Sequence, residues 1–214
     1  MPAELPLLIV ITDWRIPRST LMDALATALS LGPEVAVQHR HPGATDRTFL
    51  EEGEQIAKLC RRFANPLFVN GRLDVALLLD AHVHLPARGI RVDDVRPHLP
   101  AGRWISAAVH NSEEGREAGA AELALVSPVF APGSKVTDER TPLGCEGFVR
   151  LAKGLPCPAF ALGGVGPANA GQVAAAWGFA VISSVLRAPD PKSAAKALLA
   201  AARQTRARAS PSAV

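Results

Sequence analysis

The feature that most constrains the fold is an alternation that recurs along the whole chain. Short apolar runs rich in β-branched residues are each followed by a longer segment of helical periodicity. This alternation is typical of βα units that build a parallel sheet. Eight such units predict a single closed (β/α)8 TIM barrel. The alternative is an open doubly wound sheet, which is disfavoured because no G-x-G-x-x-G motif follows the first run. The predicted strands are residues 7–12, 34–39, 66–69, 82–85, 104–109, 123–126, 159–162 and 179–183.

Helix starts are predicted between these strands from capping chemistry. Thr45 and Asn111 supply side-chain oxygens that accept hydrogen bonds at a helix N-terminus, and Pro167 presets a helical φ. A segment at residues 92–98 is interrupted by Pro97, so it predicts one helical turn or two. The helices are predicted to begin near Ser19, Asp46, Arg72, Val92, Ser112, Gly144, Asn169 and Lys192.

The length and composition predict one globular domain. The chain has 214 residues, of which 48% are apolar and 20% are charged, and this balance is that of an ordinary globular protein. No linker interrupts residues 1–202, which we assign to the barrel. Residues 203–214 form an Ala/Arg/Ser-rich tail, which we expect to be disordered.

Charge and cysteine usage argue against several classes of partner. The net charge of +3 owes much to Arg203, Arg206 and Arg208 in the tail, and the chain has no Tyr, so we expect no nucleic-acid partner. The three cysteines lack C-x-x-C spacing and predict neither disulfides nor a zinc site. The apolar run at residues 7–11 is too short for a signal peptide or a membrane span, so we expect a cytoplasmic protein that does not bind membranes.

Polar side chains follow the second strand, where a closed barrel forms its active site. Because side chains alternate along a strand, Gln38 and Arg40 are predicted to face the barrel mouth while His39 faces the helices. An arginine in a barrel mouth needs an anion to offset its burial. The orientations of His39, His41 and His84 stay open, since an error of one residue exchanges inside and outside.

Further polar residues follow the third, fifth and sixth strands. Asn70 follows the third strand, His110 follows the fifth, and Lys135 lies in the loop after the sixth. On the same alternation, His110 shares a face with Ser106 and Ala108. The imidazole of His110 is a candidate acid or base, although an ordinary hydrogen-bonding role remains open.

Glycines and serines follow the last two strands, where barrels of this kind most often hold a phosphate. Gly163 and Gly164 allow backbone N–H groups to approach phosphate oxygens, and Ser183 and Ser184 add hydroxyl donors. The four residues predict a phosphate site. A tight turn explains the glycine pair equally well.

Several short motifs, taken in order, resemble the thiamine-phosphate synthase/TenI superfamily. The resemblance covers about residues 9–190, and it is specific because many motifs occur in register. The motifs are Ile11-Thr12-Asp13, Gln38-x-Arg40, Val69-Asn70-Gly71-Arg72-Leu73-Asp74, Val83-His84-Leu85, Val109-His110-x-x-Glu113-Glu114, Ser127-Pro128-Val129-Phe130 with Lys135, Gly163-Gly164 and Ile182-Ser183.

The resemblance implies thiamine biosynthesis by one of two reactions. The synthase branch joins a hydroxymethylpyrimidine pyrophosphate to a thiazole phosphate with Mg²⁺, whereas the TenI branch is a thiazole tautomerase acting one step earlier. The two positions that match the synthase's metal-binding aspartates are Gly71 and Gly89, and glycine offers Mg²⁺ no side-chain oxygen. We therefore expect no metal and no other cofactor, unless Asp74 or Asp80 substitutes. At other positions the chain keeps the residues of the synthase pattern, namely Gln38, Arg40, Asn70, Lys135, Gly164 and Ser183.

The TenI branch matches better, since Pro86 replaces a synthase glycine and His110 falls on the TenI acid/base histidine. The resemblance then implies that His110 moves a proton on a small phosphorylated thiazole, which an imidazole with its ordinary pKa near 6.5 does well at neutral pH. Arg40 would pair with the substrate carboxylate and Asn70 would orient the ring. Lys135 would assist binding of either the substrate carboxylate or the substrate phosphate.

Two other functions stay open. One is a degenerate thiamine-phosphate synthase, and the other is a non-catalytic regulator of the thiamine pathway that keeps the phosphate site. A homo-oligomer is a further open expectation, because TenI relatives often assemble, but the sequence indicates no interface.

Overall fold

The strands form a closed parallel barrel. The computed structural model describes residues 4–131 and 141–209, and within these ranges eight strands pair in chain order, with β8 returning to β1. The predicted TIM barrel is confirmed. The strands are β1 (Leu8–Ile11), β2 (Val35–His39), β3 (Leu67–Asn70), β4 (His82–Leu85), β5 (Ile105–Val109), β6 (Leu123–Val126), β7 (Ala159–Leu162) and β8 (Gly178–Val181).

Helices alternate with the strands, and capping decides where several of them begin. Thr45 Oγ1 accepts from Thr48 N at the start of α2, and Asn111 Oδ1 accepts from Glu113 N and Glu114 N at the start of α5. Among the described helices, none combines the length and apolar character needed to cross a membrane. The α-helices are α1 (Arg18–Leu29), α2 (Asp46–Phe63), α3 (Leu73–Leu78), α4 (Val92–Val95), α5 (Ser112–Glu117), α6 (Gly144–Lys153), α7 (Ser183–Leu186) and α8 (Pro191–Ala209), and 3₁₀ turns lie at Arg96–His98 and Ala170–Gln172.

The segment after β7 corrects the sequence prediction. The α-helix expected from Asn169 is only the 3₁₀ turn Ala170–Gln172. Asn169 instead closes the glycine loop, since its Oδ1 accepts from Gly166 N at 2.8 Å and its Nδ2 donates to Gly164 O at 2.9 Å. The chain then reaches β8 at Gly178 without an intervening α-helix.

The chain after β8 also differs from the prediction. The strand expected to reach Ser183 ends at Val181, and Ser183 begins the one-turn helix α7. Leu186 N donates to Ile182 O and Arg187 N donates to Ser183 O, each at 3.0 Å. The helix starts without a side-chain cap, because its N-cap residue is Ile182, so the backbone hydrogen bonds alone define this turn.

The predicted disordered tail is wrong for residues 203–209, which continue helix α8. Thr205 is buried, and its hydroxyl lies 2.9 Å from Ala176 O. Arg203 forms an ion pair with Glu34, and Arg206 stacks on the Trp177 ring at 4.0 Å. These contacts with the barrel order a segment whose composition resembles a linker. Residues 210–214 lie outside the described residues.

The barrel separates two apolar clusters. Most buried apolar side chains pack between the strands and the helices, while a smaller cluster fills the barrel interior. Strands buried on both faces account for the near-continuous apolar runs in the sequence. Toward the carboxyl ends of the strands, the interior positions become polar, which places a site there. The interior cluster consists of Ile9, Ile11, Ala36, Phe68, Leu123, Leu125, Phe160 and Ala180.

Candidate active site

A cavity of about 490 Å³ opens at the carboxyl ends of the strands. Its walls come from all eight strands or the loops that follow them, as expected for a TIM barrel. Lys135, also predicted as a site residue, lies outside the described residues. The other predicted site residues all line this cavity: Gln38, Arg40, Asn70, His110, Gly163, Gly164, Ser183 and Ser184.

One end of the cavity is built for an anion. Gly163 and Gly164 have φ of +95° and +63°, and they turn the chain directly above β7. Within the described residues, the backbone N–H groups of Gly164, Ser183 and Ser184 donate no hydrogen bond to the protein, and Ser184 Oγ is buried without a partner. Free donors that converge on one cavity end suit a phosphate group.

Arg40 brings a positive charge to the cavity wall. Its backbone is fixed by Thr12, whose Oγ1 accepts from Arg40 N and donates to Arg40 O, both at 2.9 Å. Burial, and then the nearby charge of Arg15, lowers the pKa of Arg40 from its ordinary value. The nearby carboxylate of Asp13 is already engaged by Arg15 at 2.7 Å and Arg187 at 3.2 Å. A ligand anion beside Arg40 would therefore offset the cost of burying its charge.

Two side-chain amides lie on the same wall. Asn70 ends β3 and pairs in register with His84 of β4. Gln38 is buried, and its Nε2 has no hydrogen-bond partner among the described residues. A buried donor without a partner is costly, so a polar ligand atom at this place would stabilise it.

His110 reaches the cavity from the end of β5 and contacts a carboxylate behind it. Its Nδ1 lies 2.7 Å from Glu114 Oε2, and its backbone N–H donates to the same oxygen at 2.7 Å. Glu114 itself does not line the cavity. The sequence analysis named Glu114 only as part of a family motif and gave it no role, although its spacing of four residues from His110 was a usable signal.

The structure settles the three open histidine orientations. His84 lines the cavity, and its Nδ1 lies 2.9 Å from Ser106 Oγ. Complete burial, followed by the charges of Arg40 and His110, lowers the pKa of His84 to about 3. His39 and His41 lie outside the cavity lining. The His39 ring contacts Phe49 O at 2.9 Å, and the His41 ring contacts Glu52 at 2.8 Å.

The described cavity residues do not fit a Mg²⁺ ion. None of those that line the cavity is Asp or Glu, and no cluster of three potential metal ligands occurs within the described ranges. Gly71 has φ of +70° and an added Cβ there would contact Pro86. The two acids that could have substituted are engaged elsewhere, since Asp74 pairs with Arg72 and Asp80 pairs with Arg103. Mg²⁺ bound in a protein usually needs one or two carboxylates.

Comparison with known proteins gives the family. A family model described as thiamine monophosphate synthase matches residues 8–185. The chain belongs to this family. A thiamine-phosphate synthase of Chloroflexus aurantiacus is 35% identical over 198 residues, which covers 90% of this chain and 91% of that protein. Another of Roseiflexus castenholzii is 35% identical over 209 residues, covering 95% of this chain and 91% of that protein.

Solved structures support membership of the thiamine monophosphate synthase family. A thiamine phosphate pyrophosphorylase from Pyrococcus furiosus superposes with a TM-score of 0.78 at 30% identity, covering 92% of this chain and 96% of that one. A 3-hexulose-6-phosphate synthase superposes with a TM-score of 0.66 at 16% identity, covering 91% and 99%. The second likeness shows the fold alone. Family membership makes this a protein of the thiamine-phosphate synthase/TenI type.

Proposed function

We propose that the protein is a thiazole tautomerase, which converts an exocyclic-alkene carboxythiazole phosphate into its aromatic tautomer without a metal. The observation that carries the proposal is the grouping of His110, Arg40 and the anion-binding end around one cavity. The reaction needs one movable proton and two anion contacts. The described lining supplies both and offers no carboxylate for a metal.

The proposed roles follow the chemistry of each group. His110 accepts the ring proton of the substrate and returns it to the exocyclic carbon, so that atoms and charge balance over the cycle. Arg40 pairs with the substrate carboxylate, and Asn70 orients the ring beside Gln38. Lys135 is proposed as an additional cation for either the substrate carboxylate or the phosphate. The phosphate is assigned to the loop residues Gly163, Gly164, Ser183 and Ser184.

A substitution at His110 tests the acid/base role. H110Q keeps a polar side chain at the cavity but cannot move a proton at neutral pH, so we expect the aromatisation rate to fall about 10²- to 10⁴-fold. The rate is measured from formation of the aromatic carboxythiazole phosphate with a chelator present. The control is H98Q, because His98 is exposed and does not line the cavity. Full activity of H110Q would refute the assignment.

Thiamine-phosphate synthase is the second candidate, and the names of the related proteins favour it. Its test is formation of thiamine phosphate from the two phosphorylated precursors with and without Mg²⁺. A Mg²⁺-dependent product would replace the tautomerase proposal with a synthase. Binding of the thiazole phosphate with neither reaction would instead support a non-catalytic regulator.

A further inference from the structure

The contact between Glu114 and His110 is unusual because one carboxylate oxygen engages one residue twice. Glu114 Oε2 accepts from His110 N at 2.7 Å and lies 2.7 Å from His110 Nδ1. Both side chains are largely buried, with 17% of His110 and 24% of Glu114 exposed. Two short contacts to the same acceptor restrict both the backbone and the ring of His110.

This contact selects one ring tautomer. An ionised carboxylate only accepts hydrogen bonds, so the proton of the neutral imidazole must lie on Nδ1. The other nitrogen, Nε2, then carries a lone pair and is the basic atom of a side chain that lines the cavity. When the ring takes up a second proton, the adjacent carboxylate stabilises the positive charge that forms.

Helix capping alone does not account for Glu114. Asn111 already accepts hydrogen bonds from the first-turn N–H groups of Glu113 and Glu114. Glu114 instead reaches back past Asn111 to His110, the residue that directly follows β5. Glu113, in the same turn, is exposed and has no ion pair with another described residue. The two neighbouring acids lie in the same helical turn, but among the described residues only Glu114 forms an ion pair.

The second imidazole in the cavity has no such partner among residues 4–131 and 141–209. His84 contacts the hydroxyl of Ser106 rather than a carboxylate. It is buried beside Arg40 and His110, where a positive charge on its ring would be costly. Of the two histidines that line the cavity, only His110 contacts a carboxylate of a described residue.

We propose that Glu114 is a positioning residue, which holds His110 in the Nδ1–H tautomer and directs its basic Nε2 toward the ligand. The inference deepens the proposed tautomerase function and rests on it for the catalytic consequence. The tautomer itself is a property of the free protein. It is therefore measurable whether or not the protein turns over a thiazole.

The first measurement is the ring tautomer of His110. Protein labelled with ¹⁵N-histidine is examined by NMR at a pH where His110 is neutral, and H110Q identifies its signals. We expect Nδ1 to be protonated and Nε2 unprotonated in the wild type, and we expect E114A to shift the ring toward the Nε2–H form. The control E113Q should leave the signals unchanged. An Nε2–H ring in the wild type, or an unchanged ring in E114A, would overturn the proposal.

The second measurement is turnover of the carboxythiazole phosphate. E114Q still accepts the His110 backbone N–H but has no charge, so it preserves the local fold while removing stabilisation of the imidazolium. We expect kcat to fall about 10- to 100-fold, as on loss of a carboxylate that orients a metal-bound histidine, with KM unchanged. Wild-type kcat in E114Q, or an equal loss in E113Q, would contradict the positioning role. Absence of turnover in the wild type would refute the tautomerase, while the NMR measurement would still decide the role of Glu114 as a positioning group.

Discussion

Gly164 shows how a single position combines backbone conformation with packing. Its φ of +63° lies in the left-handed region, and an added Cβ would stand 2.7 Å from Ala131 O and 2.7 Å from Phe130 Cβ. Both neighbours belong to the loop after β6, so the glycine loop and that loop lie against each other. The glycine is required there with or without a bound phosphate, and the backbone N–H remains free to bind one.

We expect G164A to weaken phosphate binding and to lower stability. The left-handed conformation costs about 1–2 kcal/mol for a residue with a Cβ, and the two close contacts force the loop to move. The measurements are the affinity for thiazole phosphate and the free energy of unfolding in urea. G171A is the matched control, since a Cβ at Gly171 meets nothing within 4 Å. Equal affinity of G164A and the wild type would show that the phosphate does not use this loop.

Sequence alternation located the polar residues of β2 but not the partners of its histidine. Gln38 and Arg40 line the cavity, while His39 packs against Phe49 with ring centroids 4.1 Å apart. The period of two along a strand is a local property and so is readable from sequence. The acceptor of His39 lies ten residues away on α2, and no local pattern indicates it.

At the scale of elements, helix α8 is stabilised by partners far away in the chain. Its last two turns contact Glu34 before β2 and the segment around Ala176 before β8. Thr205 is 1% exposed, and its hydroxyl also lies 3.0 Å from Ala202 O. Composition predicted disorder here because the Ala/Arg run shows no clear apolar periodicity. Packing on the barrel, rather than local helix propensity, stabilises this end of the helix.

We expect T205V to destabilise the protein by about 1–3 kcal/mol. Valine keeps the shape of threonine but leaves the buried Ala176 carbonyl without its hydroxyl donor. The free energy of unfolding in urea measures the effect. Q204A changes an exposed neighbour in the same turn and should have little effect. Equal stability of T205V and Q204A would mean that the hydroxyl of Thr205 does not stabilise the packing of α8.

At the scale of the whole molecule, the barrel keeps three histidines buried and neutral. Burial is the largest cause in each case, and it lowers the pKa of His39 and His82 to about 4 and that of His84 to about 3. In the unfolded chain a histidine has a pKa near 6.5. Between about pH 4 and 6.5, the unfolded state therefore binds more protons than the folded state.

We expect the free energy of unfolding to fall as the pH is lowered from 6.5 toward 4. Stability rises with pH wherever the unfolded state binds more protons, and each such histidine adds a slope of about 1.4 kcal/mol per pH unit. Urea unfolding across this range measures the slope. H82Q should reduce the slope of unfolding free energy against pH by about the contribution of one histidine. H98Q, at an exposed position, should leave the slope unchanged. An equal slope in H82Q and the wild type would show that His82 is not buried as a neutral ring.

The sequence by itself determined the barrel and the rim of strand ends on which the candidate site lies. Hydrophobic periodicity and turn chemistry are local, so they predicted the eight units and placed Gln38, Asn70 and His110 at strand ends. Only the tertiary structure decided which groups face each other. The pairing of Asp80 with Arg103 and the folding of residues 203–209 depend on contacts between distant units. Such contacts form only when the barrel closes, because closure brings segments together that share no local pattern.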